Sequence, residues 1–396
     1  MNIVPEVAAL DSEMRRWRHH LHAHPETAFE EVATAAYVAE RLRSFGLEVH
    51  TGLAKTGVVG VLSNGSSREA IGMRADMDAL HVDEQSGVPH ASTHHGRMHA
   101  CGHDGHTTML LAAAKAMAQR RHFDGTAYFI FQPAEENEGG GRVLVAEGLF
   151  DRFPMRAVYG MHNWPRLPAG SFAMREGPLM GAYDIFEIVA TGKGAHAAMA
   201  YQAKDPMLFA AHAINALQTI VSRNIHPMET GVVSVTQVHA GDTWNVIPEQ
   251  VVLRGTVRTF EREVQDLIEA RMRGIVEGVA ATFDMHATLR YERRYPATVN
   301  SAEETAQAAR AAAAVVGEAR VERAPVPEMT SEDFAFMLQA KPGCYVWLGA
   351  GASADPPGLH NPRYDFNDNV LAIGASYWVT LAEQQLPLAP ALRSAA

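Results

Sequence analysis

Apolar residues recur at helical spacing through Val7, Leu10, Met14, Trp17 and Leu21, which predicts one amphipathic helix over residues 5–22, stopped by Pro25. A second helix is predicted over 30–45, with Gly46 as its stop. The pattern then changes to short unbroken apolar runs at 58–62, 70–73, 128–131, 157–161 and 345–348, which are too short for helices and read as buried strands. Ser63-Asn64-Gly65-Ser66-Ser67 between the first two is a hairpin or loop signal. Ser301 and Glu304 form a capping-box pattern that opens a helix to 316, Thr330-Ser331-Glu332-Asp333 opens another, and a last helix spans 369–385 before a tail at 387–396 that is expected to fray. Strands alternating with helices predict an α/β fold.

One stretch breaks that rhythm. Residues 183–190 read as strand, 206–222 as helix, 232–239 and 250–259 as strands, 262–281 as helix and 285–291 as strand. This β-α-β-β-α-β order is that of a small ferredoxin-like α+β domain. The earlier pattern resumes after it, so the expected organisation is a discontinuous catalytic domain of residues 1–180 and 294–396 with an inserted domain at 181–293. A chain of 396 residues exceeds the ~250–300 at which single cores stop growing, which also argues for two domains.

Composition narrows the partners. A net charge of −11 argues against a general nucleic-acid binder. No apolar run reaches the ~18–20 residues of a membrane span, so no membrane partner is expected. Only Cys101 and Cys344 are present, which leaves no disulfide framework, and the N-terminus lacks the pattern of an export signal. Both features point to a reducing cytoplasm.

The chemistry concentrates in Met98-His99-Ala100-Cys101-Gly102-His103-Asp104-Gly105-His106, which runs directly into helix-forming sequence. Cys101 and His103 alternate as on an extended segment, so both can close on one ion, and the first turn of the following helix is expected to favour the Cys101 thiolate. Further donors stand where apolar runs give way to loops: Asp76 after 70–73, Glu135 and Glu136 after 128–131, His162 after 157–161, and His360 beyond 345–348. Ligands in open α/β sheets sit outside the carboxyl ends of strands, so this recurrence marks one centre. Asp76 is expected to orient a ligand imidazole. The clustered His19, His20, His22 and His24 are expected to have structural and turn roles.

Together with Leu21-His22-Ala23-His24-Pro25-Glu26, Met73 through Leu80, Gly192-Lys193-Gly194-Ala195-His196, Asn245-Val246-Ile247-Pro248-Glu249, Gly255-Thr256-Val257-Arg258 and Leu359-His360-Asn361-Pro362, these motifs resemble the metal-dependent amidohydrolases of the hippurate hydrolase and auxin-conjugate hydrolase type, within the aminoacylase and carboxypeptidase superfamily. The resemblance covers nearly the whole chain. It implies a mixed-sheet metallohydrolase domain with an inserted lid and dimerisation domain, and two divalent ions (zinc or manganese, with cobalt or nickel as alternatives) held by Cys101, His103, Glu136, His162 and His360. It further implies a bridging thiolate and Glu135 as general base. His196 would steady the oxyanion, from a partner subunit of a homodimer, and Asn245 and Arg258 would bind the substrate carboxylate. The implied substrates are N-acyl amino acids carrying benzoyl, acetyl or indole-acetyl groups. A dipeptidase or carboxypeptidase with the same centre, or a non-catalytic metal-binding protein, are the other readings. His81 and Ala200 stand where relatives usually carry proline, which puts the exact substrate in question.

Overall fold

The computed structural model describes residues 1–136, 138–351, 353 and 356–388. Its contacts divide the chain into two compact units, one comprising 1–179, 299–326 and 333–396, the other 180–298 with 327–332. The expected frayed tail lies outside the described residues from 389 onward.

The first unit is built on an eight-stranded mixed sheet. Its centre runs Gly125–Gln132, Ala70–Asp76, Ala157–Pro168 and Gly343–Gly351 as parallel neighbours. Every residue of Ala70–Asp76 is buried, as parallel strands covered on both faces require. Antiparallel strands Gly57–Asn64 and Glu48–Leu53 extend one side. The segment 63–67 is therefore a loop and not a hairpin turn, because Gly125–Gln132 lies between the strands it joins. The helix His103–Arg120 is buried along nearly its whole length, with Leu371–Gln385, Ala302–Val316 and Asp11–Ala23 contributing to the same apolar core.

Three sequence expectations differ locally. The first helix is split into Pro5–Ala8 and Asp11–Ala23, with Leu10 turning at φ −94° and ψ 2°, and the break keeps Val7, Leu10 and Met14 in one core. The Ser301 hydroxyl does not cap its helix; it accepts from the Gly343 N–H at 3.2 Å and ties the helix start to the neighbouring strand. The helix expected at Thr330 starts only at Ala335, because the Asp333 carboxylate is drawn inward by Arg74, Gln132 and the Gly141 N–H.

In the second unit, strands Gly231–His239, Gln250–Thr259, Ala182–Thr191 and His286–Tyr295 form an all-antiparallel sheet in that order. Helices Pro206–Arg223 and Arg262–Thr282 supply apolar residues to its core with Phe186, Ile188 and Leu253. Asp205 caps the first of these helices, its carboxylate accepting from the Met207 N–H at 2.9 Å, with Pro206 in the first turn.

Candidate metal centre

Two neighbouring parallel strands end together beside a longer third, and that alignment brings distant donors together. Asp76 is in register with Gln132, so the chain beyond both of those strands opens onto one edge; Arg74 is in register with Gly160, which puts His162 beside that edge but within the strand Ala157–Pro168, not in the loop expected after 157–161. The helix at His103 begins there too. Gly102 makes its entry, at φ +93°, where a Cβ would stand 2.4 Å from Asn163 Oδ1; both the backbone and the space demand glycine.

Cys101, His103 and His162 place ligand atoms within 4.8 Å of one another, and so do Cys101, Glu136 and His360. Cys101 is common to both groups. Its Sγ lies 3.3 Å from His162 Nε2. His360 Nε2 lies 3.0 Å from Glu136 Oε1, and the His360 N–H is held by the Ala100 carbonyl at 2.8 Å. Glu135 and Glu136 also form a group with His103. Glu135 is buried and its Oε1 accepts from the Asp333 N–H at 3.3 Å.

The imidazoles are oriented for coordination. His103 Nδ1 lies 2.9 Å from the Asp78 carbonyl and 3.2 Å from Asp78 Oδ1, while its buried Nε2 has no hydrogen-bond partner among the described residues. His162 Nδ1 donates to the Asn163 carbonyl at 2.7 Å, which leaves Nε2 as the lone-pair nitrogen facing Cys101. Burial, reinforced by His106, holds His162 neutral. A ligand histidine whose outer nitrogen is fixed by a carboxylate or carbonyl is the usual arrangement around a metal. Glu136 Oε1 likewise makes no hydrogen bond among the described residues, although His360 Nε2 stands 3.0 Å away. These unsatisfied atoms and the mixture of thiol, imidazole and carboxylate fit divalent cations.

Electrostatics support the same fit and correct one expectation. The Cys101 thiol is pushed well above its usual range, first by burial and then by Glu136, Glu135 and Asp76. The helix start therefore does not make it a thiolate by itself; a cation among these carboxylates is what would do so.

Asp76 also departs from the role expected of it. Its carboxylate pairs with Arg74 at 2.7 Å and His106 Nδ1 at 2.6 Å and stands 3.8 Å from His103 Nε2. Asp78, two positions on and past the strand end, grips His103 instead and accepts the Glu136 N–H at 2.9 Å. His106 is held from its other side by Asn163 Oδ1 at 2.6 Å, so it braces the centre. Sequence reasoning assigned no role in the centre to Asp78, Arg74, Gln132, Asn163 or Asp333. Only the two-residue spacing of Asp76 and Asp78 at a strand end signalled one of them. The N-terminal histidines take structural partners: His22 Nδ1 meets Asp104 at 2.8 Å, His19 meets Asp368 at 2.7 Å, and His24 Nδ1 meets the His20 carbonyl at 2.7 Å.

In the second unit, His196 and Asn245 are neighbours. His196 pairs with Val246 in a two-stranded ladder, and the Ala197 N–H donates to the Asn245 carbonyl at 2.9 Å. Arg258 is elsewhere, half-buried with its guanidinium 4.2 Å from the centre of the Tyr183 ring and Nη1 3.3 Å from Ser331 Oγ. It pairs with Tyr183 while Gln250 at the other end of the same strand pairs with Thr191. The nine residues from Gln250 to Arg258 span roughly 27 Å of extended chain.

Residues 72–384 match the family model of peptidase family M20/M25/M40. The chain is 40% identical over 386 residues to hippurate hydrolase from Campylobacter jejuni, covering 98% of this chain and all of that protein. It is 38% identical to N-acetylcysteine deacetylase from Bacillus subtilis, covering 94% and 97% of the two. Among solved structures it resembles the Bacillus subtilis YXEP protein, described as a dinuclear metal-binding peptidase, with a TM-score of 0.83, 34% identity and coverage of 95% and 98%. A strand-end cluster of thiol, imidazole and carboxylate on a mixed α/β sheet thus meets a match across most of the sequence, and the chain belongs to peptidase family M20/M25/M40.

Proposed function

We propose that this protein hydrolyses the amide bond of N-acyl amino acids, releasing a carboxylic acid and a free amino acid, at a centre of two divalent ions held by Cys101, His103, Glu136, His162 and His360. The observation that carries the reading is the pair of donor groups sharing Cys101, with Glu135 beside them. Zinc and manganese suit this donor set. Divalent cations supply Lewis-acid polarisation of a carbonyl and acidification of water.

The protein's own groups do the rest. Glu135 accepts the proton of the attacking water as its oxygen bonds to the carbonyl carbon, then passes that proton to the nitrogen as the C–N bond breaks. Such a relay is worth ~10²–10⁴ in rate. Asp78 fixes His103 and the Glu136 backbone, and Asp76 steadies His106, so the donors are held before substrate arrives.

His196 stabilises the oxyanion, and Asn245 and Arg258 receive the substrate carboxylate. Because His196 lies in a separate two-stranded ladder that follows the Thr191 and Gln250 end of the four-stranded sheet, while Arg258 stands at the other end of that sheet, they serve a single substrate when they come from two copies of the chain, as a homodimer through residues 181–293 allows. The exposed surface supports this: among the described residues, ten of the fourteen exposed large apolar side chains belong to the second unit, including the fully exposed Trp244 beside Asn245. Both cysteines are free thiols, which suits the cytoplasm.

The test is Glu135→Gln in metal-loaded protein, assayed on a panel of benzoyl, acetyl and indole-acetyl amino acids with dipeptides alongside. Turnover is expected to fall at least ~10²-fold while the metal content of the protein stays that of the parent. Undiminished hydrolysis by the variant would rule out Glu135 as the base. A parent active on dipeptides alone would replace the acyl reading with a peptidase one.

A further inference from the structure

Outside the ligand cluster, one buried carboxylate gathers three separate chain segments. Glu31 has no exposed surface. Its Oε1 accepts from the Phe29 N–H at 3.0 Å and the Ala134 N–H at 2.9 Å, and its Oε2 accepts from Thr56 Oγ1 at 2.7 Å. The same three segments carry Phe29 at φ 60°, Ala54 at 46°, Lys55 at 69° and Ala134 at 56°. These are four of the seven non-glycine residues with left-handed backbone among those described. Such conformations are disfavoured for residues with a Cβ and persist only where the surroundings over-determine them.

Ala134 matters most, because Glu135 and Glu136 follow it directly. Its carbonyl accepts from the Gly140 N–H at 2.8 Å, and the Glu136 N–H is held by Asp78 at 2.9 Å. The turn is therefore fixed at the Ala134 N–H, the Ala134 carbonyl and the Glu136 N–H. Of the two carboxylates that grip it, Asp78 also holds His103, whereas Glu31 reaches the turn through the Ala134 N–H. Without the Glu31 bond, Ala134 would relax toward right-handed backbone and turn both following carboxylates away from their present directions.

We propose that Glu31 is a positioning residue: its carboxylate locks Ala134 in the left-handed turn that aims Glu135 and Glu136 at Cys101, His103 and His360. The inference rests on reading Glu136 as a ligand and Glu135 as the base. The isosteric change Glu31→Gln would keep Oε1 for both N–H donors and supply an amide to donate to Thr56 Oγ1. The role is thus one of hydrogen-bond geometry and not of charge.

The experiment measures Zn²⁺ affinity by competition with a chromophoric chelator, together with kcat and KM on hippurate, for the full-length parent, Glu31→Gln, Glu31→Ala, Glu136→Ala and the double variant Glu31→Ala/Ala134→Gly. Glu31→Ala is expected to weaken the more loosely held ion about 10–100-fold and to lower kcat with KM little changed, as loss of a group that orients ligands does. Glu31→Gln is expected to stay within about threefold of the parent in both. Glycine takes a positive φ without penalty, so Ala134→Gly is expected to recover at least about fivefold of the affinity lost in Glu31→Ala. Should Glu31→Ala fail to fold, Ala134→Val disfavours the same turn while leaving the Phe29 and Thr56 bonds in place, and the same loss of affinity is expected. Parent-like affinity in Glu31→Ala or Ala134→Val, a Glu31→Gln variant as impaired as Glu31→Ala, or no recovery in the double variant would overturn the proposal. If Glu136→Ala weakens binding and Glu31→Ala does not, the reading of the centre stands and the Glu31 role falls. If Glu136→Ala itself leaves both ions bound, the reading of the centre falls and takes the Glu31 role with it.

Discussion

At the scale of single residues, the centre depends on groups whose burial leaves no tolerance. Arg74 is fully enclosed, with Nη1 2.7 Å from Asp76, Nη2 3.0 Å from Asp333 and Nε 2.9 Å from Gln132. Removing it strands two buried carboxylates, a situation that costs about 3–5 kcal/mol, so Arg74→Ala is expected to lower unfolding free energy by that amount in urea titrations. A loss under about 1 kcal/mol would mean that the carboxylates find other partners or protonate without consequence. Gly102 sets a second limit. Gly102→Ala combines a left-handed backbone with a Cβ driven against Asn163, so it is expected to destabilise by about 2 kcal/mol or more and to weaken metal binding through its neighbours Cys101 and His103.

At the scale of elements, function follows from which strand ends lie side by side. Parallel pairing sets the ends of Gly125–Gln132 and Ala70–Asp76 beside His162 and Asn163, which lie within the longer strand Ala157–Pro168, and the buried helix His103–Arg120 begins at the same place. In the second unit no strand among the described residues pairs with the outer side of Gly231–His239, which exposes Val232 and Val238. Edge strands of this kind pair readily with another chain unless charge prevents it. Val238→Lys is therefore expected to shift the sedimentation of the proposed homodimer toward monomer without unfolding the protein, and to lower activity in step. A variant that becomes monomeric and keeps full turnover would exclude a partner's contribution of His196.

At the scale of the whole molecule, buried ionic groups set the pH range of stability. Burial alone would push His22 down, but its pairing with Asp104 and its hydrogen bonds to Asp104 and Glu84 outweigh that and raise its pKa to about 9. Burial would raise Glu84, yet His22, Ser86 and the Ser92 N–H hold it down at about 2. The His22 contribution is thus complete below its unfolded value of ~6.5 and disappears as pH climbs through about 9. The Glu84 contribution is complete above ~4.3 and disappears as pH falls through about 2. Urea titrations of chelated protein should show stability falling between pH 6.5 and 9, with a shallower alkaline loss in His22→Asn; parallel curves would exclude His22 as the source. Chelation itself is expected to lower the thermal midpoint, since ions bind the folded donors and not the dispersed ones.

Much of this was legible in the sequence because it is local. Apolar periodicity carried the α/β class, the β-α-β-β-α-β order of the central segment and the loop-to-helix junction at Cys101, and donors repeated at strand ends pointed to one centre. What the linear order could not carry was pairing: a strand's neighbours depend on which apolar faces bury best together, so the placement of Gly125–Gln132 between two consecutive strands was invisible, as was the recruitment of Ser301 by Gly343. The division of labour between Asp76 and Asp78 was equally hidden, because it depends on where His103 and His106 arrive from elsewhere. Side-chain chemistry and recurrence marked the candidate donors in the chain, and the resemblance implied their roles; the orientation of these side chains, and the buried carboxylates that hold them there, came only from tertiary packing, since a hydrogen bond between residues about a hundred positions apart has no signature until both ends are brought within about 3 Å.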